Sequence, residues 1–64
     1  MLTIKNWQIV KLGDNFVLEG NVTGHKNPSI MDGMFVSTSK LISIDFQNKK
    51  AQTQNSIYIL DTPK

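Results

Sequence analysis

Sixty-four residues form one domain at most, and a domain this small buries only about 60% of the surface its unfolded chain exposes. The chain has no cysteine, which excludes disulfides, and the lone His25 cannot supply the Cys and His set of a structural zinc site. Seven lysines against five acids, with no arginine, give a net charge of +2 without the planar guanidinium that reads guanine edges.

Stabilisation is therefore left to efficient packing or to self-association, and a homo-oligomer is expected. No run approaches the roughly 20 apolar residues of a membrane span. The opening Met1-Leu2-Thr3-Ile4-Lys5-Asn6-Trp7 lacks the basic, apolar and small-residue regions of a secretory signal. A cytoplasmic protein with no membrane association and no cofactor is the expectation.

Thr3 to Leu12 reads as a first strand. Its alternation is imperfect, with Trp7 and Ile9 on one face and Val10 and Leu12 on the other. Either both faces are covered or a bulge near Ile9 switches them. Gly13-Asp14-Asn15 is a turn, because glycine and Asx residues tolerate positive φ. Phe16 to Thr23 is a second strand, with Phe16, Leu18, Gly20 and Val22 expected inward. Gly20 inside a strand marks a bend, a bulge or a close backbone approach.

The longest irregular segment is Gly24 to Gly33, where Pro28 blocks pairing and Asp32-Gly33 turns the chain. It serves as a crossover or as a functional loop, and its Ile30 and Met31 are expected to meet the core or a partner. Met34 to Thr38 reads as a third strand, with Ser39-Lys40 as a break or a bulge. Leu41 to Phe46 alternates with period two and forms a fourth, with Ile42, Ile44 and Phe46 sharing a face. After a turn at Gln47 to Lys50, a fifth strand runs from Ala51 to Leu60, interrupted at Asn55-Ser56. Asp61 to Lys64 reads as a frayed tail. The expected architecture is one all-β domain over residues 1–64. About five antiparallel strands bend into a roll or a small, partly open, SH3-like barrel, since five flat strands would expose their edges.

The candidate site residues are few. His25 and Lys26 share the long loop with Asp32, but no nucleophile or second acid is placed beside the imidazole by sequence. The carboxylates Asp14 and Asp32 sit in turns and Glu19 and Asp45 on outward strand positions, so no catalytic pair is assigned and an enzyme is not expected. Ser37, Thr38, Ser39 and Lys40 concentrate hydroxyls and an ammonium at a strand end, a weak phosphate-binding pattern without the usual glycines. Trp7 near Lys5, and Phe35 near Lys40, are the aromatics placed to meet a base; Phe16 and Phe46 read as core.

Three segments resemble a group of short bacterial and phage-associated proteins with no assigned activity. They are Gly20-Asn21-Val22-Thr23-Gly24-His25, Asp32-Gly33-Met34-Phe35-Val36-Ser37-Thr38-Ser39-Lys40-Leu41-Ile42, and Thr53 with Asn55-Ser56-Ile57-Tyr58-Ile59-Leu60. The pattern is Gly-Asn-Val-x-Gly-His followed by Asp-Gly-x-x-Val-x-Thr-Ser, closing on Tyr-x-Leu. The resemblance implies a small stand-alone protein and assigns no site.

The leading expectation is a non-enzymatic, self-associating protein-interaction module, such as a phage or mobile-element accessory or inhibitor protein. It would use exposed strand edges and the Gly24–Gly33 loop. One alternative is a weak, non-sequence-specific nucleic-acid binder using lysines with Trp7 or Phe35. Another is a small-ligand or nucleotide-binding oligomer built around Ser37 to Lys40.

Overall fold

A computed structural model describes all 64 residues. The strands β1 (Thr3–Leu12), β2 (Asn15–Thr23), β3 (Phe35–Asp45), β4 (Lys50–Thr53) and β5 (Ile57–Leu60) follow one another as an antiparallel meander. Five up-and-down strands leave the first and last pointing the same way. The pair that closes the ring, β1·β5, is therefore parallel and short, with Thr3 facing Ile59 and Ile4 facing Leu60.

The expected bent all-β sheet forms, and its strand count holds for a different reason than the sequence pattern gives. The third and fourth expected strands are one, β3, because of the two alternatives at Ser39-Lys40 the chain takes the bulge and keeps pairing through it. The run from Ala51 to Leu60 is two strands, because Asn55-Ser56 lies in a full reversal. Thr53 holds that reversal shut: its hydroxyl donates to the Ser56 carbonyl (3.1 Å) and accepts from the Ser56 N–H (3.2 Å).

Bulges bend the two longest strands, and bending is what lets so few strands close. In β1, Asn6 and Trp7 together oppose the single residue Gly20, and Asn6 takes up the left-handed conformation (φ 52°). In β3, Thr38 and Ser39 oppose Leu18, whose N–H is met by the Thr38 hydroxyl at 3.0 Å. A third irregularity inserts Ile42 between Leu41 and Ser43.

One inserted residue exchanges the faces of everything beyond it. Leu41 and Ile44 both pack against the core, with Ile42 exposed between them. Phe46 keeps the phase of Ile44 but lies past the end of β3, in the β3–β4 turn, and is exposed there, which corrects the reading of Phe46 as a core residue. Phe16 is also exposed, for another reason. It keeps the inward phase of Leu18, but β2 stops pairing with β3 at Val17, so Phe16 lies on a two-stranded ribbon that outruns the ring. Val17, which strand alternation turns to the face opposite Leu18, is buried as well.

The core is small: Ile4, Leu18, Val22, Ala51, Tyr58 and Leu60, flanked by half-buried Leu2, Trp7, Ile30, Val36, Leu41 and Ile44. Residues 61–64, read from the sequence as a frayed tail, are hydrogen-bonded along β1. Asp61 N–H donates to the Ile4 carbonyl (2.8 Å), Asn6 N–H to Thr62 (2.6 Å) and Lys64 N–H to Trp7 (2.9 Å).

The β1–β2 turn places Gly13 (φ 64°) at its first central position, the type II′ arrangement whose twist suits a hairpin. The β3–β4 turn has Lys49 at φ 57°, a conformation that costs a side-chain-bearing residue about 1–2 kcal/mol. Part of that is offset by the extra entropy a glycine loses on folding. Lys49→Gly is therefore expected to raise the melting temperature by a few degrees, about 1 kcal/mol at most, as read by thermal circular dichroism.

Candidate functional site

The topology gathers the connections at two ends of the ring. The loop end carries Gly24 to Met34 and the β4–β5 turn. The hairpin end carries the β1–β2 and β3–β4 turns and the residues after β5.

At the loop end, local hydrogen bonds specify the long connection. Asp32 Oδ1 accepts from the Gly24 N–H (2.9 Å), closing the loop at its base. His25 Nδ1 accepts from the Asn27 N–H (3.1 Å), and Asn27 Oδ1 accepts from the Ser29 N–H (2.9 Å). Ile30 packs against the core and Met31 projects outward. His25 and Lys26 then flank an open groove of about 690 Å³, whose opposite wall is Gln52 to Ile57. Side-chain amides, hydroxyls, the His25 imidazole and the Lys26 side chain line it together with apolar Met1, Leu2 and Ile57, and no carboxylate does. Of these, Gln52 carries no signal in the sequence, and Gln54 and Asn55 read there only as uncharged polar surface. They look like plain strand and turn residues until the ring closes and brings them opposite His25.

At the hairpin end, Trp7 and Phe46 lie with ring centroids 6.3 Å apart and tilted by 31°. They border a smaller groove of about 350 Å³ with Lys49, Leu60, Asp61, Thr62 and Pro63. The bulge turns Trp7 toward this groove, and its Nε1–H is fixed by donation to the Asp61 carbonyl (2.9 Å). In the β3–β4 turn, the Asn48 side-chain amide (2.8 Å) and N–H (3.1 Å) donate to Asp45 and hold its carboxyl below the usual carboxylate range. Burial pushes the Tyr58 phenol up, against a smaller opposing hydrogen bond from Ser56.

The remaining sequence candidates do not converge on either end. Phe35 is exposed on the outer face beside Asn21. The Thr38 hydroxyl is occupied in the β3 bulge, donating to the Ser39 carbonyl (2.9 Å) while accepting from Leu18. Ser37 donates to Glu19 Oε2 (3.5 Å), so a carboxylate stands next to the hydroxyls of Ser37 to Ser39. A phosphate there would meet a like charge, and Lys40 lies beyond it opposite Val17. No three His, Cys, Asp or Glu side chains are grouped to hold a metal ion, and no helix is long and apolar enough to cross a membrane.

No protein-family model, curated protein or solved structure matches this chain. Any function must be read from the surface itself.

Proposed function

We propose that this chain is a non-enzymatic protein-interaction module that associates with itself. One observation supports this reading above others. Ten large hydrophobic side chains are exposed, against seven hydrophobic residues buried. Single exposed apolar residues are ordinary, but a surplus over the core in so small a domain marks a surface to be covered. Ile9, Leu12, Phe16 and Phe46 cluster by topology at the hairpin end, where Trp7 adds a half-buried ring. The Gly-Asn-Val-x-Gly-His pattern extends the proposal to an accessory or inhibitory protein of a phage or mobile element.

Size-exclusion chromatography with light scattering over a range of concentrations tests the reading. The expected mass is a multiple of 7.2 kDa. Phe16→Ser combined with Phe46→Ser is expected to weaken the association, so that the multiple forms only at higher concentration, with the far-ultraviolet spectrum unchanged. A monomer at every concentration overturns the proposal.

A second reading has its own observation: the Trp7–Phe46 pair beside Lys49 joins stacking surface to a cation, the elements of a single-stranded nucleic-acid platform. Such binding would weaken steeply with salt, and a labelled oligonucleotide that shows no salt-sensitive binding removes it.

A further inference from the structure

The ring is closed at one end only in part. The β1·β5 ladder covers Thr3 and Ile4, and the residues after β5 reach Asn6 and Trp7. Beyond Trp7, no backbone hydrogen bond reaches the outer edge of β1. The II′ turn makes Leu12 and Asn15 the closing hydrogen-bonded pair, so Leu12, Val10 and Gln8 direct their backbone groups at β2. Ile9 and Lys11 therefore present N–H and C=O outward, on a strand with exposed Ile9 and Leu12 side chains. An open, apolar edge of this kind is a template for another strand.

We propose that a second copy of the chain occupies this edge, pairing β1 with β1 antiparallel about a two-fold axis at Val10. The inference rests on the self-association reading and adds its geometry. Three symmetric registers fit the exposed stretch, and two of them fail. Centring on Lys11 sets the two ammonium groups directly opposite one another, which is destabilising. Centring on Ile9 requires the Trp7 carbonyl, which Lys64 N–H already occupies.

Centring on Val10 avoids both. Ile9 of each copy then exchanges both backbone bonds with Lys11 of the other, and Gln8 faces Leu12. Val10 meets Val10 of the second copy on the face that carries Val17, so apolar side chains run unbroken across the axis. On the other face the Lys11 stem covers Ile9 of the second copy. The lysine that would oppose a wrong register is accommodated in this one.

The axis gives a specific test, because a residue on it faces itself. At a non-hydrogen-bonded antiparallel pair the Cα atoms lie about 4.5 Å apart, within disulfide range. The chain has no cysteine of its own, so Val10→Cys introduces the only thiol. It is expected to oxidise to a covalent dimer about tenfold faster than Leu12→Cys at equal concentration, since pairing raises the local thiol concentration. In the unsubstituted protein, the Ile9 and Lys11 amides are expected to gain hydrogen-exchange protection as concentration rises. A monomer at all concentrations overturns both this proposal and the reading it rests on. A self-associating protein whose Ile9 and Lys11 amides stay unprotected, or in which Val10→Cys links no faster than Leu12→Cys, overturns the β1 pairing alone.

Discussion

Gly20→Val is expected to leave the chain largely unfolded at 25 °C, seen as loss of the β spectrum and of cooperative melting. Gly20 stands alone opposite the Asn6–Trp7 bulge, where β1 bends across it. A Cβ at this position would lie 2.8 Å from Ile4 Cγ1 and 2.8 Å from the Lys5 carbonyl oxygen, closer than packed atoms tolerate. Neither neighbour can retreat easily: Ile4 is fully buried, and the other atom is backbone. Replacing glycine also restricts the unfolded chain, a gain of about 0.4–1 kcal/mol, but overpacking costs about 1–3 kcal/mol for a small addition and more for a branched one. A domain below about 70 residues has about 3–5 kcal/mol from its core to lose. Gly20→Ala is expected to melt measurably lower yet remain folded. If both variants melt like the parent, the close approach at the bulge is not what shapes β1.

Leu18→Ala is expected to be nearly as damaging, and Phe16→Ser nearly silent toward folding. The two residues share a strand, a face and a phase, and only the extent of pairing separates them. Leu18 is fully buried among Ile4, Val22 and Leu60, so truncation leaves a cavity costing about 3–5 kcal/mol. Phe16 is 47% exposed on the ribbon beyond the ring, with Lys11 as its cross-strand neighbour. Urea denaturation at low protein concentration, where association does not contribute, measures both. A Phe16→Ser midpoint lowered as far as that of Leu18→Ala would show that the ribbon folds back over the core.

The same contrast shows what was legible in the residues alone. The period-two rhythm, the Gly13–Asn15 and Gln47–Lys50 turns and the β1 and β2 spans follow from side-chain alternation and turn chemistry, which act over a few residues. Gly20 could be read as a close approach, although not against what. The Ser39–Lys40 irregularity was visible, but a bulge and a break carry the same hydroxyl-rich signature. Whether β3 continues depends on β2 beside it. Nothing in the residues marks Ile42 as the inserted one, and Phe46 keeps the phase of Ile44, so alternation alone places it inward although β3 ends at Asp45.

The surface was less legible than the fold. His25, Lys26, Trp7 and Phe35 drew notice by residue type. Gln52 to Asn55 and the Trp7–Phe46 pair became neighbours only when the strands closed.

By itself the sequence determined the class and the turns, because each rests on contacts between near neighbours in the chain. Tertiary structure decided which apolar residues are inside. Burial depends on where a partner strand ends, and here β3 stops short of Phe16 while the β1·β5 ladder ends at Ile4. The free β1 edge is a property of that mismatch in strand length, and no residue along it encodes the mismatch alone.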